Sequence, residues 1–202
     1  MPQITTMFWD IGGVLLTNAW DRHEREAAFE KFSLDPTEFE ERHRPVISPF
    51  ESGEMTLDQY LDQTVFYRAR PFTRDTFKDF MFSCSRPNPA ALQIARSLAG
   101  TGNYRMATIN NESRELNLYR IATFELRNFL GFFVSSCFVG LRKPDPKIYI
   151  LAVDLMQRSP EECCFIDDRA ENLDPAKKLG MHTIHMQSAE QLQQDLKNLE
   201  VL

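Results

Sequence analysis

The feature that most constrains this chain is a series of five short apolar segments, most of which end on polar residues. Segments 4–9, 104–109, 132–139, 163–166 and 181–186 read as strands; the first four stop at Asp10, at Asn110-Asn111, at Gly140 and at Asp167-Asp168. A buried strand has this pattern, a continuous apolar run that stops where the chain reaches a loop. Helical spacing of apolar residues fills the gaps at 89–99, 146–156, 172–179 and 189–199, with Gly180 placed to end the third. Alternation of this kind predicts an α/β fold, a five-stranded parallel sheet with helices on both faces.

Residues 18–85 break the alternation. Helical patterns begin at Asp21, at Asp35 followed by Pro36, at Thr56 and at Thr73, all good helix-start residues. An insertion this long is a subdomain rather than a loop. The expected division is a core of residues 1–17 and 86–202 and a helical unit at 18–85. Phe66, Phe80 and Phe82 are read as the core of that unit rather than a substrate-binding group.

Composition narrows the class. The chain has 202 residues, 43% hydrophobic and 26% charged, enough for one core plus the insertion and too apolar for disorder. A formal net charge of −6 without a basic run argues against nucleic acid as a partner. The longest mostly apolar stretch, 129–141, contains two serines and two glycines and is too short for a bilayer, so no membrane partner is expected. The first residues carry no charged segment of the kind that opens a signal peptide. Cys84, Cys137, Cys163 and Cys164 fit neither a zinc pattern nor a disulfide framework, and Cys163 and Cys164 would face opposite sides of a strand. The expectation is a cytoplasmic protein with reduced thiols.

In an open parallel sheet, ligands bind beyond the carboxyl ends of the strands. Those ends deliver Asp10, Asn110, Asn111, Asp167 and Asp168 to one place, and the segment Gly140-Leu-Arg-Lys-Pro-Asp-Pro146 adds Arg142 and Lys143. Three carboxylates and a lysine suit a divalent cation plus a phosphate. Mg²⁺ takes oxygen ligands, keeps several waters and needs only one or two carboxylates. A carboxylate can also act as a nucleophile. An Asp at a strand end is more often a turn or cap residue, but four such ends agreeing outweighs that reading for Asp10 and Asp168. His182 and His185, in the last strand, are read as structural.

At this point the sequence resembles the haloacid dehalogenase-like (HAD) superfamily of hydrolases. Phe8-Trp-Asp-Ile-Gly-Gly-Val-Leu15 resembles its first motif, Ile109-Asn-Asn111 its second, Gly140-Leu-Arg-Lys-Pro-Asp-Pro-Lys-Ile-Tyr149 its third and Phe165-Ile-Asp-Asp-Arg-Ala-Glu-Asn-Leu173 its fourth. Four motifs in order are a strong joint signal where each alone is weak. The resemblance implies a Rossmann-like core with the small helical cap of the first subfamily, and a Mg²⁺-dependent phosphatase acting on a small phosphorylated metabolite. It implies that Asp10 is the nucleophile and a metal ligand, and that Asp168 is a second ligand. Asp167 would act through water or by bonding Lys143. Lys143 would offset charge at the phosphoryl group, and Asn172 would fix the turn of the two aspartates. Phosphoryl oxygens would be held by Asn110 or Asn111 and by backbone amides after Asp10, where Gly12 and Gly13 allow close approach.

Two positions depart from the family pattern. The usual second Asp of the first motif, a general acid and base worth roughly 10² to 10⁴-fold, is Gly12, whose carbonyl would still serve the metal. Asp21, His23 or His43 could supply the proton, or the substrate could need little help, or turnover could be weak. The usual Ser or Thr of the second motif is Asn110, with Thr108 as the alternative. A glycine at position 12 is similar to a bacterial branch typified by an α-D-glucose-1-phosphate phosphatase. Haloacid dehalogenases, the rival reading, carry Ser and Asn where this chain has Asp167 and Asp168.

Overall fold

A computed structural model describes residues 3–202. Five strands, β1 (Thr6–Trp9), β2 (Arg105–Asn110), β3 (Phe132–Ser135), β4 (Cys163–Asp167) and β5 (His182–His185), form one sheet in the order β3-β2-β1-β4-β5. All neighbours are parallel, with Trp9 in register with Thr108 on one side and Ile166 on the other. The order reverses at β1, so Asp10 leaves the sheet at the point where the flanking connections diverge. That crevice is where α/β sheets bind ligands.

Helices α1 (Arg22–Phe32), α2 (Pro36–His43), α3 (Ile47–Glu51), α4 (Leu57–Thr64) and α5 (Arg74–Ser83) lie between β1 and β2, followed by α6 (Pro89–Gly100). Asp35 caps α2 through Glu38 N at 2.8 Å with Pro36 in its first turn, Thr56 caps α4 and Thr73 caps α5, as the sequence predicts. The helices 22–83 bury their own cluster, including Phe29, Phe32, Phe39, Phe50, Tyr60 and Phe77, with Phe66, Phe80 and Phe82 packed against it. The sheet has two further clusters, one on each face. Cys164 lies in one and Cys163 in the other, the alternation expected of adjacent strand residues, and all four cysteines are free.

The rest of the chain adds α7 (Arg114–Thr123), α8 (Ser136–Val139), α9 (Pro146–Met156), α10 (Ala170–Leu179) and α11 (Ala189–Asn198). Gly180 ends α10 in the left-handed conformation at φ 106°, the geometry that favours glycine. The third strand is shorter than its apolar run suggests. It stops at Ser135, and 136–139 coil into α8, closed by Gly140 at φ 69°. No described helix is long and apolar enough to cross a membrane.

Candidate active site

Strand ends β1 and β4 bring Asp10, Asp167 and Asp168 together, with one carboxylate oxygen of each within 4.8 Å of the others. Lys143, from the loop after α8, reaches between them. Its Nζ lies 3.0 Å from Asp10 Oδ2 and donates to Asp167 Oδ2 at 2.6 Å. Asn172 Nδ2 donates to both oxygens of Asp167, at 3.0 and 3.1 Å, and Arg169 N donates to Oδ1. Asp167 is therefore fully engaged in holding Lys143 and the β4–α10 turn. Asp168 differs: its Oδ1 is buried and has no partner among the described residues. An ionised oxygen left bare in this way is costly, and a divalent cation shared with Asp10 would satisfy it.

The electrostatics agree. Burial pushes Asp10 up to about 7, despite the pull of Lys143, and the neighbouring Asp167 and Asp168 add to the rise. Burial also raises Asp168, with Asp167 adding to it. Burial alone would lower Lys143, but Asp10 and Asp167 more than offset it and hold the ammonium above its ordinary range. The cluster thus has more buried negative charge than one lysine neutralises, the condition in which a hard cation binds to oxygen donors.

Residues 4–180 match the haloacid dehalogenase-like hydrolase family. The chain belongs to that family. It is similar to bifunctional epoxide hydrolase 2 of Sus scrofa, 26% identical over 95% of this chain and 38% of the relative. It also resembles flavin mononucleotide hydrolase 1 of Arabidopsis thaliana, 28% identical over 79% of this chain and 64% of the relative. A third relative is glyceraldehyde 3-phosphate phosphatase of Pyrococcus furiosus, 32% identical over 59% of this chain and 50% of the relative. The chain thus spans less than two thirds of the length of each of these relatives. In fold it is similar to a HAD family enzyme from Bacteroides thetaiotaomicron, with TM-score 0.80 at 20% identity, covering 92% of this chain and 95% of that one. The same enzyme, in complex with magnesium and inorganic phosphate, aligns with TM-score 0.74 at 19% identity, over 91% of this chain and 94% of that one.

In this HAD-like hydrolase the motif glycines have distinct reasons. Gly13 has φ +70°, and a Cβ there would lie 2.1 Å from Asp168 Oδ2, so the glycine makes room for the Asp168 carboxylate. A Cβ on Gly12 would meet only the tip of Asn18, at 2.8 Å, with Arg120 Nη1 at 3.9 Å. Gly12 lines a cavity of about 380 Å³ together with Asp10, Asn111 and Lys143. Gly13 does not line it.

The second motif behaves differently from the expectation. Asn110 is not among the cavity-lining residues: its Nδ2 donates to Asn117 Oδ1 at 3.1 Å and its Oδ1 accepts from Ser135 Oγ at 2.8 Å. Thr108 is buried with its hydroxyl unpartnered and does not line the cavity either. Asn111 does line it, but its amide bonds both backbone polar groups of Lys143, accepting from N at 2.8 Å and donating to O at 2.9 Å. The second strand end therefore positions the lysine loop and joins β2 to β3.

Of the three candidate proton donors, His23 is an exposed residue beside Glu26 and away from the cavity. Asp21 lines the cavity but is ion-paired with Arg169 at 2.5 Å. His43 lines it too, and burial pushes its imidazole down to about 4, leaving it neutral. The structure adds residues that no motif marked: a buried Glu112–Arg120 pair at 2.9 Å, and Asn18, all lining the same cavity. His185, read as structural, has its Nε2 3.0 Å from the Asp168 backbone oxygen and so supports the loop of that aspartate.

Proposed function

We propose that this HAD-like hydrolase is a Mg²⁺-dependent phosphatase of small phosphate monoesters, working through a phospho-aspartyl intermediate on Asp10. One observation carries the reading: Lys143 bridges Asp10 and Asp167 beside an Asp168 oxygen that has no partner among the described residues. Phosphatases among its relatives, and a magnesium and phosphate complex of a fold neighbour, point the same way.

Asp10 and Asp168 would hold the cation with the Gly12 carbonyl, and the ion would supply positive charge at the phosphoryl oxygens. Asp10 Oδ2 would attack phosphorus while the ester P–O bond breaks, and the leaving oxygen would take a proton from cavity water. A second water would then attack phosphorus, releasing phosphate and restoring the Asp10 carboxylate. Lys143 would offset the charge gathered around Asp10, and Asp167 with Asn172 would keep it aimed. Gly12 supplies no acid, and Arg120 beside it is paired with Glu112, so the proton for the leaving oxygen is left to the cavity water. The helices of the 18–85 segment would cap the cavity and limit water.

The test is phosphate release from p-nitrophenyl phosphate with Mg²⁺, with EDTA, and by the Asp10→Asn variant. Activity is expected with Mg²⁺ alone and is expected to fall at least 10³-fold in the variant. Turnover that survives both EDTA and the substitution would sink the reading. A metal-independent dehalogenase would instead release halide from 2-haloacids in EDTA.

A further inference from the structure

The organic end of the cavity is built by side chains whose charges are already spent. Arg25 pairs with Glu40 at 2.7 Å, Arg142 with Glu51, and Arg169 with Asp21. No arginine lining this cavity lacks a carboxylate partner among the described residues. A substrate with a second phosphate or a carboxylate would have to break one of these pairs to find a cation, and would meet the freed carboxylate. Among the lining groups without a charged partner, His43 is the one whose ring is clamped in place by aromatic neighbours. Phe39 stacks on its ring at 5.9 Å and Tyr60 closes on its edge.

Hydrogen-bond logic fixes which proton His43 carries. The indole Trp20 Nε1 can only donate, and it donates to the Tyr60 hydroxyl at 2.8 Å. The Tyr60 hydroxyl is fully buried and lies 2.7 Å from His43 Nδ1, while the Thr64 hydroxyl beside it donates to the Tyr60 backbone oxygen. The hydroxyl proton goes to Nδ1, a ring nitrogen at 2.7 Å and a better acceptor than an alcohol oxygen. With Nδ1 accepting, the neutral imidazole carries its proton on Nε2. Nε2 bonds no described protein atom and is not among the buried unpartnered ones, so it opens onto the cavity that His43 lines. Phe50, stacked on Tyr60 at 4.2 Å, holds the relay in place.

We infer that His43 is the specificity-determining residue of this site. Its Nε2–H donates to an oxygen on the organic group of the ester, and it selects substrates whose organic group is uncharged and hydroxylated. This rests on the phosphatase reading and goes beyond it by assigning the substrate class. A neutral N–H suits a hydroxyl or carbonyl oxygen, and the cancelled arginines leave nothing to hold a second anion.

Matched esters test it: glycerol 1-phosphate against 3-phosphoglycerate, and glucose 6-phosphate against 6-phosphogluconate, with phenyl phosphate as the ester lacking any further acceptor. In each pair turned over, the uncharged member is expected to have the higher kcat/KM, by about tenfold or more, the scale of one hydrogen bond. His43→Leu should narrow the preference for the uncharged ester over phenyl phosphate about tenfold, mainly through KM, and His43→Gln, which keeps an N–H donor, should restore part of it. Equal or greater turnover of the acid members, or turnover of phenyl phosphate alone, overturns the inference.

Nitrogen-detected NMR of His43 gives a readout that needs no turnover. The Nε2–H tautomer is expected in the folded protein and should be lost or mixed in Tyr60→Phe; an Nδ1–H tautomer in the wild type overturns the inference. If no ester is hydrolysed while the Nε2–H tautomer is present, the phosphatase reading has failed rather than the hydrogen-bond relay. The selection is then judged by competition of the same esters for binding, where equal affinity of charged and uncharged members overturns it.

Discussion

Lys143 bears more on this site than its single charge suggests, because it is buried between two carboxylates that pair with no other cation among the described residues. Removing one partner of a buried ion pair leaves charge uncompensated, which costs about 3–5 kcal/mol. Lys143→Met should therefore lower the free energy of unfolding by that order as well as abolish turnover, read from urea midpoints and phosphate release; a variant of wild-type stability would mean that the carboxylates are not held by the lysine. The two motif glycines should separate in the same way. Gly13→Ala forces a Cβ to 2.1 Å from Asp168 at a positive φ and should cost about 1–3 kcal/mol and Mg²⁺-dependent activity. Gly12→Ala displaces only the Asn18 tip and should stay within about 1 kcal/mol on thermal melting. The convergence of Asp10, Asp167 and Asp168 was legible in the sequence because a strand end is a local signal and the topology brings such ends together; Lys143 reaches them from the loop beyond α8. Asn110 was not, because strand position alone does not say that its amide is taken by Asn117 and Ser135. Glu112 and Arg120 lay hidden because a buried ion pair leaves no trace in apolar spacing.

At the scale of elements, three stretches carry no apolar period that settles their structure. The run 132–139 is apolar throughout, and periodicity cannot separate a buried strand from a strand that turns into a helical turn. α7 has Asn117 and Arg120 on its buried face beside Leu116 and Ile121, so its stripe is broken by polar residues. α3 is five residues long with Pro49 inside it, too short to show a period. The helices with side-chain-capped starts, α2, α4, α5 and α9, were legible because their caps are local chemistry. The short elements α3 and α8 meet where Gly53, at φ +78°, passes under the Cys137 carbonyl. A Cβ there would lie 2.3 Å from that oxygen. Gly53→Ala should consequently push the 22–83 helices away from α8, lowering stability by about 2 kcal/mol or more and raising KM, as measured by melting and by steady-state kinetics. Unchanged melting and KM would show that the contact is not required.

Across the whole molecule, acid should act on folding through two buried groups of opposite sign. His43 is held near 4, below its ordinary 6.5, by burial and then by Arg25. Between those values the unfolded chain binds the proton and the folded chain does not. The stability linked to His43 is therefore complete above about pH 6.5 and is lost as the pH falls toward 4, a loss of up to about 3 kcal/mol. Asp10 is shifted the other way, from 3.8 to about 7, so the folded chain takes up a proton first and its contribution is lost as the pH rises through 7. The two nearly share a window, and a bare pH–stability curve of the wild type would show them partly cancelled. Subtraction separates them. His43→Gln leaves Asp10 in place, so the difference in unfolding free energy between wild type and variant carries the imidazole alone. That difference should shift against the wild type by about 2–3 kcal/mol when urea unfolding at pH 7.5 is compared with pH 4.5. A difference constant over that interval would mean that the Tyr60-bonded ring is not kept neutral, and with it would go the preference for uncharged esters, since an imidazolium would attract the acid members instead.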